Sequence, residues 1–438
     1  MDWPFVLIII FGSLIVLMAA GFPVAISFVI INIVGVVLLW HGETGLHALT
    51  LTMQQSVGSF LLLPIPMFIF LGEILFRSGM AMRAIDVVDK WLGRLPGRLG
   101  LLAVLIATLF STMSGATSAT AAMLGETLGP EMEKRGYKKP ISIGSIMGSG
   151  GLAMLIPPSA AAVFWAAIAE VSIGRILIGG IIPGLVIALF YSIYIVGRCY
   201  LQPSVAPTYK IIPTPLSRKL IDTAKYVLPL TFIVFMVTGL IILGIASPSE
   251  AAVMGVVSSL ILAAAYRKLN WTLLKQTLIS TLSITVFIFI IISGAKAFGQ
   301  VLATTGAGRD LVIWVTSLPL APPLIIIGML VVLLFMGMFM HGIAIIMITV
   351  PVYMPVVYAL GYDPVWFGIM FLILDEMSQT TPPFGILLFV MKGVSTPDTT
   401  MGDIVKAGIP FLICDAACVA VVMAFPIVAL WLPNLMTG

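Results

Sequence analysis

Gly148-Ser149-Gly150-Gly151-Leu152-Ala153-Met154-Leu155-Ile156-Pro157-Pro158-Ser159 has a counterpart later in the chain. It is Asp375-Glu376-Met377-Ser378-Gln379-Thr380-Thr381-Pro382-Pro383-Phe384-Gly385, and the two Pro-Pro pairs stand 225 residues apart. At the same offset Pro4, Pro23 and Pro130 return as Pro229, Pro248 and Pro355, and Gly136-Tyr137 returns as Gly361-Tyr362. Residues 1–213 hold 13 prolines and residues 226–438 hold 14. Chance at one fixed offset supplies about one coincidence, and here there are five. Proline and glycine mark where helices stop, break or turn. Halves punctuated alike are therefore predicted to fold alike.

Composition sets the class. The chain has 438 residues, is 60% hydrophobic and only 9% charged, and its mean hydropathy is +1.18. Apolar runs long enough to cross a bilayer recur throughout, at 24–40, 59–76, 176–196, 226–246, 277–294 and 407–432. The run at 5–20 follows Asp2 and Trp3 rather than a basic segment, and a second apolar run comes directly after it. It reads as a retained span and not a signal peptide. No segment is long and polar enough for a soluble domain; the longest polar stretch is 198–225. The net charge of +4 lies in short loops, which excludes a nucleic-acid surface. The three cysteines and three histidines have no metal-ligand spacing, and no nucleophile elbow or phosphate loop is present, so an enzyme is not expected.

Charge placement orients the chain. Arg77, Arg83, Lys90, Arg94 and Arg98 precede residues 99–130, and Lys134, Arg135, Lys138 and Lys139 follow. Positive charge in short loops marks the cytoplasmic side, so this segment enters the membrane and returns. Its middle, Ser114-Gly115-Ala116-Thr117-Ser118-Ala119-Thr120, is small and polar, suited to the tip of a re-entrant hairpin. The equivalent hairpin, 322–355, is flanked by one cation, Arg309, against Asp310 and Asp363. It is expected to enter from the opposite face. Threading the other spans alternately leaves 19 of the 22 Lys and Arg residues at the cytoplasmic side, with Arg175, Lys296 and Arg309 outside. The predicted fold is an all-α integral membrane protein of two inverted-topology repeats. Each has about five crossings, one re-entrant hairpin and one Pro-broken helix (141–173 and 365–391), with both termini outside.

A mid-span Pro-Pro removes helix donors, frees carbonyls upstream and leaves unpaired N–H groups on the next half-helix. Such paired interruptions point to a transporter's binding site. Freed carbonyls with Ser and Thr hydroxyls suit Na+, and a half-helix N-terminus suits a carboxylate. Ionisable residues at membrane depth are costly, and each needs a partner or a task. Glu73 and Arg77 should pair along one helix, Glu126 should sit in a structural ion pair, and Lys296 should reach the interface. Asp375 and Glu376 are adjacent and so lie on different faces of a helix, which predicts that at most one faces the centre. With His341 they form a candidate ion or proton path.

These motifs resemble the large membrane subunit of tripartite ATP-independent periplasmic (TRAP) transporters. The residues carrying the resemblance are Ser114 to Thr120, Ile156-Pro157-Pro158-Ser159, Gly179-Gly180-Ile181-Ile182-Pro183-Gly184, Gly361-Tyr362-Asp363-Pro364 with Phe367-Gly368, and Thr381-Pro382-Pro383-Phe384-Gly385. The resemblance spans essentially the whole chain. It implies an elevator-type secondary transporter driven by a Na+ gradient. Segments 1–98 and 226–320 would form a static scaffold, 99–197 and 321–438 a moving transport domain, and 198–225 a cytoplasmic linker. It also implies a small four-helix membrane subunit and a periplasmic substrate-binding protein as partners in a bacterial or archaeal inner membrane. No cofactor is expected beyond Na+ as coupling ion. The chain departs from the family at His341, where the tip usually carries an acid, at Ser378, where Gly is usual, and in having Asp375.

The resulting expectation is Na+-coupled import of a carboxylate-bearing solute. One Na+ would be held by Ser114, Gly115, Thr117, Ser118, Ser149 and Gly151, and another by Met340, Gly342, Thr380 and Thr381. Substrate would meet Thr117, Pro158, Ser159, Thr381 and Pro383. The competing expectations are a proton-coupled transporter using His341, Asp375 and Glu376, and a channel or non-transporting membrane scaffold. A channel should show a continuous polar stripe along several helices, whereas polarity here is confined to tips and breaks.

Overall fold

The computed structural model describes residues 3–39, 43–93, 95–114, 117–207, 215–383 and 385–436. Among them the regular structure is helical. The first half opens with α1 (Trp3–Ala19), α2 (Val24–Leu39), α3 (Glu43–Val57), α4 (Pro64–Arg77) and α5 (Met80–Trp91). A helical pair follows, α6 (Arg98–Ser114) and α7 (Thr117–Lys134). Then come α8 (Lys139–Gly150), α9 (Leu152–Leu155), α10 (Ala160–Ala169), α11 (Ile173–Gly179) and α12 (Ile181–Leu201).

The second half begins after α13 (Leu216–Asp222), with α14 (Leu228–Ile242), α15 (Pro248–Ala265), α16 (Trp271–Thr304) and α17 (Ala307–Ser317). Its own pair is α18 (Pro322–Gly337) and α19 (Gly342–Ala359). It closes with α20 (Pro364–Gln379), α21 (Ile386–Val394), α22 (Met401–Ala424) and α23 (Ile427–Asn434).

Seven described helical segments are long and apolar enough to cross a bilayer, or eight if the bent pair of α8–α9 with α10 is one span. The chain is a multi-pass membrane protein. Both arms that lead into the hairpins, Arg98–Leu109 and Pro322–Gly337, belong to a shorter class of apolar helices.

Local chemistry sets the boundaries. Pro64, Pro248, Pro322 and Pro364 stand at the starts of α4, α15, α18 and α20, where the missing N–H costs nothing. Ser247 and Glu250 close a capping box on α15, and Asp363 caps α20 by accepting from Val365 N at 2.7 Å. Gly136 and Gly361 both end a helix at φ +76°, a conformation that side chains with a Cβ resist. The interior prolines do not end their helices: α7 continues past Pro130 to Lys134, and α19 past Pro351 and Pro355 to Ala359. A proline removes one N–H donor, and a helix with neighbours packed along it carries on through the loss. The hairpin arms therefore extend beyond the limits of 130 and 355 expected from the prolines. Another asymmetry follows from composition. Pro64 and Pro66 stand in the first turn of α4, which starts apart from α3, whereas the equivalent stretch has no proline and forms the single 34-residue α16.

Two helices occupy the centre. All residues of α20 from Val365 to Gln379 are buried, as are those of α8 from Ile141 to Gly150. A helix buried on every side has no face for water, so its polar residues need partners within the protein. Glycine brings α8 against α22. A Cβ on Gly144 or Gly148 would come within 2.6 Å of the Phe411 ring, so the ring packs directly on both glycines. Peripheral helices leave Phe5, Leu189, Phe232 and Phe235 exposed, as a lipid-facing belt requires.

Ion pairs join particular loops. Arg77 pairs with Glu73, Lys90 with Asp222, Arg98 with Asp89, Arg135 with Glu131, and Lys139 with Asp398 and Asp403. A second group joins Arg175 to Asp363 and Lys296 to Glu170. Glu126, expected in such a pair, is exposed, and no ion pair reaches it among the described residues.

Candidate functional site

The two Pro-Pro breaks form as expected, and their surroundings differ. Pro157-Pro158 and Pro382-Pro383 are both cis. At the first, α8–α9 and α10 bend by 44°. Ser159 bridges the gap: its hydroxyl donates to Met154 O at 2.7 Å and accepts from Ala162 N at 3.2 Å. One side chain thus serves a freed carbonyl and an orphan N–H together. Pro158 and Ser159 are buried, whereas Pro382 and Pro383 are exposed. The expected substrate contacts at Pro158 and Ser159 are therefore closed off in this arrangement, and that at Pro383 is open.

At the second break Thr380 and Thr381 both turn back, their hydroxyls donating to Met377 O at 2.9 and 2.6 Å. Thr380 is buried and Thr381 half-buried. Their carbonyl neighbourhood is tight, because a Cβ on Gly385 would lie 2.6 Å from Gln379 O.

The helix before this break, α20, lies between the two hairpins. Thr117, the first residue of α7, is buried and donates to Glu376 Oε2 at 3.0 Å. Glu376 in turn covers Gly151, where a Cβ would be 2.5 Å from its Cγ and Oε1. One residue earlier, Asp375 covers Gly342, the first residue of α19, with Oδ1 2.6 Å from where a Cβ would stand. Ser378 sits against Gly337, the last residue of α18, and its hydroxyl donates to Asp375 O at 2.6 Å. Adjacent residues on a helix are separated by about 100°. Here that angle aims one acid at each hairpin. The expectation that only one of the pair would face the interior is wrong: Asp375 is 1% exposed and Glu376 6%. It assumed a helix with one inner face, and α20 has no outer one.

The remaining expected residues are placed as follows. Ser149 is buried with its hydroxyl on Ser145 O, and Ser118 is half-buried beside Thr117. Met340 is half-buried in the second tip, and His341 caps α19 through Nδ1, which accepts from Ile343 N at 3.3 Å. The Ser114 side chain and Gly115 lie outside the described residues.

Both oxygens of Asp375 and Oε1 of Glu376 are buried without a hydrogen-bond partner among the described residues. A third acid, which sequence reading passed over, is Asp415 on α22. It is 5% exposed and accepts from Tyr191 OH at 2.5 Å. An Asp in the middle of a 24-residue apolar helix was the available signal. Between the two breaks, Gln379 Nε2 lies 3.9 Å from Met154 Sδ. Among the described residues no His, Cys, Asp and Glu converge as a multivalent metal site.

Residues 11–428 match the family described as the tripartite ATP-independent periplasmic transporter, DctM component. The chain belongs to the DctM family of TRAP transporter large membrane subunits. It is 31% identical over 400 residues to the C4-dicarboxylate TRAP transporter large permease protein DctM of Pseudomonas aeruginosa, covering 91% of this chain and 92% of that one. It is 30% identical to the ectoine/5-hydroxyectoine TRAP transporter large permease protein UehC of Ruegeria pomeroyi, covering 97% and 98%. The sialic acid permease SiaM of Vibrio cholerae is 27% identical over 425 residues, 96% of this chain and 97% of that one. The crystal structure of the YdaH transporter of Alcanivorax borkumensis, described as having an unusual topology, superposes with a TM-score of 0.62 at 16% identity. It covers 90% of each chain, and at that identity the likeness concerns the fold. DctM subunits are permeases, not enzymes, which agrees with the lack of a catalytic constellation in the sequence.

Proposed function

We propose that this subunit imports a carboxylate-bearing solute by Na+ symport, moving the α6–α12 and α18–α23 regions past a scaffold of α1–α5 and α14–α17. The observation that carries the reading is the position of α20, whose consecutive acids reach the starts of both hairpin exit arms. Helix breaks, hairpin starts and buried carboxylates meet in one place, and that is the chemistry an ion-coupled site requires. Of the solutes named for relatives, C4-dicarboxylates, ectoine and sialic acid carry a carboxylate, and isethionate carries a sulfonate in its place.

Two further features support the reading. The ion pairs respect the predicted sidedness: Lys90–Asp222 and Lys139–Asp403 join residues assigned to the cytoplasmic side, and Arg175–Asp363 and Lys296–Glu170 join residues assigned outside. That partition supports inverted repeats with hairpins entering from opposite faces. A cavity of about 810 Å3 also separates scaffold from transport segments. Thr52, Lys296 and Gln300 line one wall, and Ile168, Glu170 and Pro351 the other. A cleft of this kind gives the moving part room. A small membrane subunit and a periplasmic binding protein that supplies the solute complete the assembly in the inner membrane.

The Na+ sites follow the two hairpins: Ser114, Gly115, Thr117, Ser118, Ser149 and Gly151 serve one, and Met340, Gly342, Thr380 and Thr381 the other. Solute sits between the tips, near Thr117, Thr381 and Pro383, with Pro158 and Ser159 joining when the first break opens. The test is uptake into proteoliposomes holding the assembled transporter and its binding protein, with either a Na+ or a proton gradient imposed. Uptake that needs the Na+ gradient supports the reading. Uptake driven by protons alone, indifferent to Na+, replaces it with proton symport through Asp375, Glu376 and His341, a second reading favoured by the unpartnered oxygens of that acid pair.

A further inference from the structure

We propose that Asp375 is a direct ligand of a monovalent hard cation at the second hairpin and supplies that site's only negative charge. The inference rests on the sodium reading above and goes beyond the hairpin carbonyls and threonines assigned there. Its basis is an imbalance in the structure. Asp375 is 1% exposed, and both carboxylate oxygens lack a hydrogen-bond partner among the described residues. Burying an ionised carboxylate without a donor is expensive, and proteins offset that cost with a paired charge or a bound metal.

Among the described residues no protein cation supplies the charge. The helices packed on α20 are α9, α10, α11, α18, α19, α21, α22 and α23. Among these, α9, α10, α18, α19 and α23 contain no Lys or Arg. Arg175 on α11 pairs with Asp363 at 3.6 Å. Lys392 on α21 donates to Thr399 O at 2.5 Å. Lys406 lies near the start of α22, about 13 Å along the helix from Asp415 at the standard rise. The helices packed on α20 also carry His341 at the start of α19, Tyr353 and Tyr358 within it, and Asp403, Cys414, Asp415 and Cys418 on α22. Of these, Asp415 and Cys418 bond instead to Tyr191 OH and Pro183 O of α12. His341 already uses Nδ1 in capping α19.

The geometry also selects the class of ion. Asp375 lies against Gly342 at the start of α19, and Ser378, one turn on, lies against Gly337 at the end of α18. The acid therefore sits where both hairpin arms pack on α20. Glu376, the nearest acid in sequence, is committed to the other hairpin through Thr117. One carboxylate with oxygen neighbours balances one positive charge, whereas a divalent ion seeks more carboxylate ligands and more oxygens. Gly342 is the space the carboxylate needs, since any Cβ there would overlap Oδ2.

The test measures Na+-dependent thermal stabilisation of the purified full-length protein, titrating NaCl against choline chloride. Asp375→Asn should raise the Na+ concentration for half-maximal stabilisation by about tenfold or more. In Na+-free buffer it should unfold no lower than the parent protein, because an uncompensated buried charge has been removed. Asp375→Glu keeps the charge and changes its reach, so it should shift the midpoint and alter the preference between Na+ and Li+. It also serves as the informative variant if Asp375→Asn does not fold. A parental Na+ midpoint in Asp375→Asn, or in Asp375→Glu if only that variant folds, overturns the inference and leaves sodium coupling intact. A parent protein indifferent to Na+ overturns both.

Discussion

Glu376 lies over Gly151, the residue 225 positions before it, so closely that a Cβ on the glycine would stand 2.5 Å from the glutamate's Cγ. Equivalent residues of the sequence repeat thus meet, one stripped to a hydrogen and the other a buried acid. The neighbouring equivalents Met154 and Gln379 meet as well. The two helix breaks are joined by direct contact, and a change at one is felt at the other.

Gly151→Ala forces the Glu376 side chain off Thr117. Overpacking of this kind costs about 1–3 kcal/mol. We expect a lower melting temperature together with loss of uptake, checked by thermal unfolding and by proteoliposome transport. Unchanged transport in the Ala variant contradicts the assignment of this contact to the site.

Thr117→Val keeps the shape of the side chain and deletes the donor to Glu376 Oε2. Leaving that oxygen unsatisfied should cost about 1–3 kcal/mol, while Thr117→Ser, which keeps the hydroxyl, should stay near the parent value. Equal stability of the Val and Ser variants would show that the 3.0 Å hydrogen bond contributes nothing.

Lys296 on α16 pairs with Glu170, which ends α10 in the left-handed region at φ +56°. The pair spans the proposed scaffold and transport parts. In a background with Cys199, Cys414 and Cys418 replaced, a bifunctional methanethiosulfonate should bridge Lys296→Cys and Glu170→Cys and stop uptake, and reduction should restore it. A spacer is needed because the ion pair joins the far ends of two long side chains. Full uptake by the cross-linked protein would sink the moving-domain mechanism.

Sidedness has its own test. A cysteine placed at Lys138 and one placed at Asp363 should react with a membrane-impermeant maleimide from opposite faces of oriented vesicles. Labelling from one common face would remove the inverted repeat.

Gly148→Ala sets a methyl against the Phe411 ring, whose nearest atom is 2.6 Å from where the new Cβ would stand. We expect about 1–3 kcal/mol of destabilisation. Phe411→Leu, by clearing space, should recover part of it in the double variant. Strict additivity of the two would show that the ring and the glycine do not interact.

The class, the helices and the two breaks were legible in the chain because they are local properties. Hydropathy is a sum over neighbours in sequence, and proline withholds its N–H wherever it stands, so residues 157–158 and 382–383 declare their breaks without help from the rest of the molecule. Tertiary structure decided which side chains meet. That both Asp375 and Glu376 are interior depends on α20 being enclosed on every side, and no periodicity within α20 reveals the helices around it. For the same reason Asp415 gains its meaning only from Tyr191, 224 residues away in the chain and 2.5 Å away in space. It took packing as well to bury the first Pro-Pro and leave the second exposed, since two similar motifs in different surroundings lose different amounts of contact with solvent.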